Sequence, residues 1–333
     1  MAASGPRNLI TDVPGILVGQ AEHRAGRTGT TVLLAETPAM AAVDIRGGAP
    51  GGRETALLEP GNLVERVDAI VLSGGSAFGL DAASGVADWL AEHGRGFAVR
   101  DVRVPIVPAA ILFDLGFPGR RHWRGAPPYR RLGRTAVSSA SRDFALGNAG
   151  AGLGAKAGRL KGGNGSASLR LIDGVTVGAL VAVNSWGSVV RPDCGRFWAV
   201  DLALPGEIDA QPPLPEAALD PEDYSACAGP VAGANTTIAI VATDAPLDKN
   251  SCLRMAIMAQ DGLARAIRPA HTPFDGDTVF ALSTGSGSAM PPEAVLRIGS
   301  AAADCLARAI MRAVTAAEPL GLYPNWRRKW GKA

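Results

Sequence analysis

Apolar positions along this chain fall into short alternating runs and longer helical stripes, punctuated throughout by glycine and proline. Near the N-terminus the pieces Gly15–Gly19 (GILVG), Gly29–Leu34 (GTTVLL) and Ala41–Arg46 (AAVDIR) read as three strands separated by turns. The apolar run Ala69 to Leu72 predicts a buried strand and the Gly74-Gly75 pair a turn. A helix follows, with Phe78, Ala82, Val86 and Leu90 on its apolar face and a stop at Gly94. Residues 168–184 (SLRLIDGVTVGALVAVN) read as a hairpin, two alternating runs joined at Asp173-Gly174 by a type I′ turn. Further on, the β-branched run from Thr236 predicts a strand, residues 248–267 a helix marked by Leu253, Ile257 and Leu263, and Val279 to Leu282 another strand. The closely spaced apolar residues of 292–317 predict a long helix packed on both sides.

Hairpins with helices set aside from them predict a layered α+β fold with mixed or antiparallel strands, not regular βαβ repeats. Residues 206–230, rich in proline and acidic side chains, read as a surface linker. The segments on either side of it look too incomplete to close a sheet alone, so the expectation is one domain over residues 1–333.

Composition narrows the function classes. With 33 basic and 31 acidic residues the net charge is +2, which supplies no global field for nucleic acid or a membrane surface. No apolar run approaches the roughly 18 residues of a spanning helix, and the N-terminal residues show no signal pattern. Four dispersed cysteines and four single histidines form no ligand cluster. The expectation is a cytoplasmic protein without metal or cofactor. The 42 glycines, spread between short apolar runs, point to tight turns and close backbone approaches.

Most candidate motifs fail on spacing. Leu72–Gly79 follows a strand and opens a helix as a phosphate loop would, but it lacks the P-loop lysine and the GxGxxG spacing. The second glycine-rich stretch, residues 147–168, fits no better. No GxSxG elbow exists, and His271 reads as a structural histidine of its loop. Asn235-Thr236-Thr237 is different, because a flexible Gly233-Ala234-Asn235 runs straight into a rigid strand. A mid-chain threonine hydroxyl lacks a base. Cutting the preceding peptide bond by an N→O acyl shift would give Thr236 its own amine as that base. The alternative is an ordinary loop-to-strand threonine. Asp275-Gly276-Asp277 supplies paired carboxylates able to orient an ammonium or hydroxyl, or an ordinary Asp-Gly turn. Asn184, ending the hairpin, is either an oxyanion donor or a strand cap.

Together these residues resemble the L-aminopeptidase/D-esterase family, the DmpA-like peptidases, which also include β-aminopeptidases and nylon-oligomer hydrolases. The resemblance runs nearly end to end, through NLITDVPGILVGQAEH, AAVDIRGGAPGGRET, VDAIVLSGGSAFGLDAASGVADWL, GNAGAGLGAKAGRLKGG, VAVNSWGSV, NTTIAIVATDAPLDK and HTPFDGDTVFAL. It implies an αββα sandwich, Ntn-hydrolase-like and related to the ornithine acetyltransferase fold, with mixed sheets between helix layers. It further implies autoproteolysis between Asn235 and Thr236, giving an α chain 1–235 and a β chain 236–333 that stay together in homo-oligomers. Thr236 would be the nucleophile, Asn184 the oxyanion ligand, and Asp277, backed by Asp275, the group orienting the Thr236 amine. The implied partner is a small peptide or amide substrate, with no cofactor.

The chain departs from the family where several members carry a glutamate that holds the substrate amine and an assisting tyrosine. Ile111 and Phe113 occupy what look like those positions, so an incoming ammonium loses its partner. With Gly75 and Ser76 they are the expected pocket residues. A lysine of some relatives appears as Arg159. The basic stretch 119–134 and the C-terminal NWRRKWGKA, arginines with aromatics, could bind RNA or an acidic ligand, but they read first as solvated loops or subunit contacts. Two rivals stand beside an amide hydrolase: an acyltransferase using the same threonine, and an unprocessed binding protein.

Overall fold

The 18-residue run Thr28–Ile45 organises the molecule. The computed structural model describes residues 3–115, 123, 125–229 and 235–331. In chain order the strands and helices begin with β1 (Ile16–His23), β2 (Thr28–Ile45), β3 (Gly52–Arg53), β4 (Arg66–Ser73) and α1 (Asp81–Glu92). A small hairpin, β5 (Phe97–Val99) and β6 (Val102–Val104), precedes β7 (Ala109–Ile111) and α2 (Tyr129–Ser138). Two more short strands, β8 (Lys156–Ala157) and β9 (Leu160–Lys161), lead into β10 (Gly163–Arg170) and β11 (Thr176–Asn184). The remainder is β12 (Thr236–Thr243), α3 (Lys249–Ala266), β13 (Thr278–Ser283), α4 (Pro292–Thr315) and α5 (Trp326–Trp330).

Nine strands form the main sheet in the order β10-β11-β12-β13-β2-β4-β7-β3, with β1 also on β2. The pairs β12–β13 and β4–β7 are parallel and the rest antiparallel. The pieces GTTVLL and AAVDIR, expected as separate strands, are thus one strand. It is interrupted at the exposed Glu36-Thr37-Pro38, where the register with β4 shifts between Leu34 and Ala39. Proline cannot donate to the ladder, so the strand bulges there and the sheet folds back on itself.

Alternation along each strand then builds three core layers. Leu33, Ile70 and Leu72 from one half of the sheet meet Leu180, Ile240 and Phe280 from the other. The opposite faces, Val181, Val241 and Val279, pack under α3 and α4 with Met255, Leu263, Leu306 and Ile310. Val32, Leu34 and Val71 pack under α1 and α2 with Val86, Leu90 and Leu132. Helix, sheet, sheet, helix is the αββα order, and α4 is buried along most of its length as its composition predicted.

Four local expectations are corrected. The β10–β11 hairpin turns through Ile172-Asp173-Gly174. Leu171 N–H donates to Val175 O at 2.7 Å, Gly174 N–H to Leu171 O at 3.0 Å, and only Gly174 has a positive φ, 87°. That is the three-residue loop with a glycine bulge, since type I′ needs positive φ at both central residues. Phe78 lies in a tight turn before α1 and is exposed. Of the 206–230 stretch, residues 206–229 are described and are largely irregular and exposed, but Glu207 is buried against Arg308 of α4 at 2.6 Å. The C-terminal NWRRKW is a helix whose fully buried Trp326 donates to Gly195 O at 2.8 Å. In the basic stretch, residues 119–122 and 124 lie outside the described residues; Arg130 and Arg134 pair with Asp88 and Glu92 of α1.

Candidate active site

The end of β11 and the start of β12 meet at one register position, Asn184 opposite Thr236. Thr236 is the first residue of its strand, as the loop-to-strand pattern predicted, and it is buried with Asn235, Asn184, Asp275 and Asp277. The Gly233-Ala234 lead-in lies outside the described residues. Asn235 bridges in parallel to Asp275, continuing the β12–β13 pairing backwards beyond the strand ends. This extension brings the Asp275-Gly276-Asp277 loop alongside the Asn235–Thr236 peptide bond.

At that bond, the Thr236 hydroxyl donates to the carbonyl oxygen of Asn235, and Gly276 N–H donates to the same oxygen at 3.2 Å. A Cβ on Gly276 would sit 2.9 Å from Thr236 Oγ1 and 2.6 Å from Ala49 O, so only glycine lets the loop come this close. Arg46 and Gly47 N–H donate to Asp277 O at 3.0 and 3.2 Å, and Ala49 N–H to Asp275 O at 2.8 Å. The Arg46–Ala49 segment therefore cradles the loop from behind. Sequence reasoning missed this role, although a glycine pair at a strand end was its signal.

The two carboxylates are differently held. Asp277 Oδ1 accepts Thr237 N–H at 2.8 Å, while Oδ2 faces the backbone N–H and ring Nδ1 of His271 at 2.9 and 3.0 Å. Asp275 Oδ1 accepts Trp186 N–H at 3.0 Å, and its Oδ2 accepts the Thr272 hydroxyl. Burial first, and the neighbouring Asp277 charge second, push Asp275 up to about 6. Lys156, close enough to Asp275 for their charges to interact, is pushed down by burial. Its backbone N–H donates to Asn184 Oδ1 at 3.0 Å, and Asn184 Nδ2 donates to Phe113 O at 3.1 Å. The amide of Asn184 is thus aimed by two backbone groups. Arg159 instead turns to Cys227 O at 3.3 Å, and the cation whose charge reaches Asp275 among the described residues is Lys156, three residues earlier.

The expected pocket residues divide. Ile111 is buried at the end of β7, its side chain against Gly51, and Phe113 contributes the carbonyl that orients Asn184. Gly75 and Ser76 both adopt positive φ, 87° and 51°. Their N–H groups donate to Asp114 Oδ1 and Leu112 O, at 2.8 and 2.9 Å, so they support this segment. An aromatic group flanks the carboxylates, with Trp186 centred 5.9 Å from Tyr224 and 6.1 Å from Phe274.

A strand-borne hydroxyl beside a hydrogen-bonded peptide carbonyl and two buried carboxylates is equipment for acyl transfer. The family model for Peptidase family S58 matches residues 8–324. The chain belongs to peptidase family S58. As a member of that family it is a hydrolase of peptide or amide bonds. It is 48% identical over 341 residues to an uncharacterized aminopeptidase of Mycobacterium bovis, covering 96% of this chain and 97% of the relative. It is 33% identical over 295 residues to a 6-aminohexanoate-oligomer endohydrolase of Paenarthrobacter ureafaciens, covering 85% and 76%. Among solved structures, the L-aminopeptidase D-Ala-esterase/amidase from Ochrobactrum anthropi, a variant of the Ntn-hydrolase fold, superposes with a TM-score of 0.72. Its identity is 21%, over 99% of this chain and 96% of that one. The layer order described above is that fold. Among the described residues, no helix of this S58 chain is long and apolar enough to cross a membrane.

Proposed function

We propose that this S58 chain cuts itself between Asn235 and Thr236 and then uses Thr236 to hydrolyse small peptides or other small amides. The observation that carries the reading is the scissile carbonyl. The Thr236 hydroxyl and the Gly276 N–H already converge on the oxygen of Asn235, inside a buried strand end. Attack of Oγ1 on that carbonyl carbon breaks the C–N bond, leaves an ester and frees the Thr236 amine; water then hydrolyses the ester. In turnover the amine takes the hydroxyl proton as Oγ1 attacks the substrate carbonyl. The leaving amine departs with a proton, and water releases the acyl group. Gly276 N–H and the Asn184 amide are the oxyanion donors in this scheme, and Asp275 and Asp277 orient the new ammonium. With Ile111 in place of an acidic anchor, a free substrate amine gains no ion pair at that position. This favours neutral amides of the oligomer-hydrolase kind over strict aminopeptidase substrates.

The test is mass. Under denaturing conditions the purified protein is expected to give two species whose masses add up to the 34.1 kDa chain plus one water, the shorter beginning at Thr236. Under native conditions they should travel together, because β12 and β13 are inserted between β11 and β2 of the longer piece. A single denatured species would refute the reading.

The carboxylates add a pH signature. Asp275 sits at about 6 in the folded chain against an ordinary value of 3.8. Cleavage that needs this carboxylate ionised should rise as pH increases through about 6. Stability should move the other way. The folded state holds the Asp275 proton more firmly than the unfolded state, so its contribution is complete below the ordinary carboxyl range and lost as pH rises through about 6. In the uncleaved Thr236→Ala chain, where no new ammonium stands beside the carboxylates, adding Asp275→Asn is expected to flatten that decline, read as unfolding free energy against pH. An unchanged slope would remove Asp275 as its source.

A further inference from the structure

Resting on the cleavage reading, we infer that His271 is a positioning residue, one that fixes the carboxylate of Asp277 beside the nucleophile. Three observations converge on it. His271 adopts φ 58°, in the left-handed region that few non-glycine residues enter. In that conformation its backbone N–H and its ring Nδ1 both reach one oxygen, Asp277 Oδ2, at 2.9 and 3.0 Å. Among the described residues the ring has no second anchor, since Nε2 is buried without a hydrogen-bond partner there and the side chain is 20% exposed. A loop that needed only the turn would be served by glycine or asparagine.

The consequence falls on the other oxygen. A carboxylate turns readily about its terminal torsion, whose minima are broad. Held at Oδ2 from two directions, Asp277 keeps Oδ1 on Thr237 N–H at 2.8 Å, one residue from the Thr236 hydroxyl and its future amine. Without the ring, Oδ2 keeps only the backbone N–H, and the carboxylate turns more freely about its bond to Thr237 N–H. The next residue repeats the arrangement, because Thr272 holds Asp275 through its hydroxyl. Residues 271 and 272 thus serve the two carboxylates in turn.

The test uses the full chain and needs no substrate, with self-cleavage followed during cell-free synthesis by denaturing gel. His271→Gly keeps the positive φ and the backbone N–H but deletes the ring. Its cleavage is expected to slow about 10- to 100-fold, the range typical of outer-shell partners, at an almost unchanged melting temperature. His271→Asn tolerates the same φ and returns an N–H donor near the place of Nδ1, so it should recover most of the rate. A glycine variant cleaving at the wild-type rate overturns the inference. So does an asparagine variant that is folded yet as slow as the glycine one. If the glycine variant does not fold, the asparagine variant is set against wild type, and a folded asparagine variant slowed about 10-fold or more overturns the inference. A wild-type chain that never cleaves sinks the reading of Thr236 and this inference together, whereas a cleaved wild type beside an unimpaired glycine variant sinks the inference alone.

Discussion

Thr236→Ala is expected to leave a single 34.1 kDa chain and no amide hydrolysis. Both losses follow from one atom. In the proposed scheme the hydroxyl that opens the Asn235 peptide bond is the one that later attacks substrate, and without the first step the amine that would serve as its base is never freed. The loss should be total for cleavage and at least about 10³-fold for turnover, because nucleophile and base vanish together. The fold should survive. Thr236 is buried, but its hydroxyl is bonded to the carbonyl of the preceding residue, not to a distant element. Deleting the hydroxyl and methyl costs about 1–2 kcal/mol. Thr236→Ser is the informative companion, since it keeps the hydroxyl and should cleave. Denatured mass and melting temperature on the three proteins separate chemistry from folding. Cleavage in the alanine variant would move the nucleophile elsewhere.

The layers of the fold were legible because each strand carries its alternation on its own residues. Ile240 and Val241 already point to opposite cores in the sequence, and the bounds of α3 and α4 fall within two residues of where the structure places them. The buried stripe of α3, however, runs through Cys252, Met255, Ala256, Ala259 and Leu263 and leaves Ile257 out. The continuity of β2 was not legible. Glu36-Thr37-Pro38 looks like a turn locally, and only pairing with β4 and β13 on either side of it keeps the strand whole. The Asp173 turn failed for a similar reason, since Asp-Gly permits several loops and the register of β10 against β11 selects one.

Within the site, candidates singled out by their own side-chain chemistry could be found one by one. Thr236, Asp275, Asp277 and Asn184 all arrive in one place, although they are separated in sequence by as many as 93 positions, Asn184 to Asp277. What stayed hidden were roles created by backbone position. Gly276 donates through its N–H, Arg46–Ala49 cradle through main-chain groups, and the ring of His271 reaches Asp277 only because its backbone is left-handed. Lys156 rather than Arg159 as the cation near Asp275 depends on which side of the short β8–β9 turn faces the carboxylates, a choice that spacing does not contain.

Gly276→Ala is the second change expected to have a large effect, and its reason is spatial. Gly276 does not need a left-handed conformation, as its φ is not positive, so an alanine there meets no backbone penalty. Its Cβ would instead stand 2.6 Å from Ala49 O, 2.9 Å from Thr236 Oγ1 and 3.1 Å from Pro50 Cα. Ala49 cannot easily retreat, because its own N–H is bonded at 2.8 Å to Asp275 O of the same loop. The loop must therefore back away from the scissile bond, and the Gly276 N–H, now 3.2 Å from the Asn235 carbonyl oxygen, goes with it. Losing one aligned oxyanion donor and displacing the nucleophile should slow cleavage by about 10²-fold or more. Overpacking should cost about 1–3 kcal/mol of stability. Gly262→Ala supplies the control. That glycine lies where α3 meets α4, with a new Cβ 2.2 Å from Ala303 O, so it should destabilise at least as much while its folded molecules cleave normally. Equal cleavage in both variants would mean that the contact between Gly276 and Thr236 plays no part in the reaction. Slow cleavage in Gly276→Ala alone would tie the reaction to the one loop that touches the nucleophile, the oxygen it attacks beside and the carboxylates that orient it.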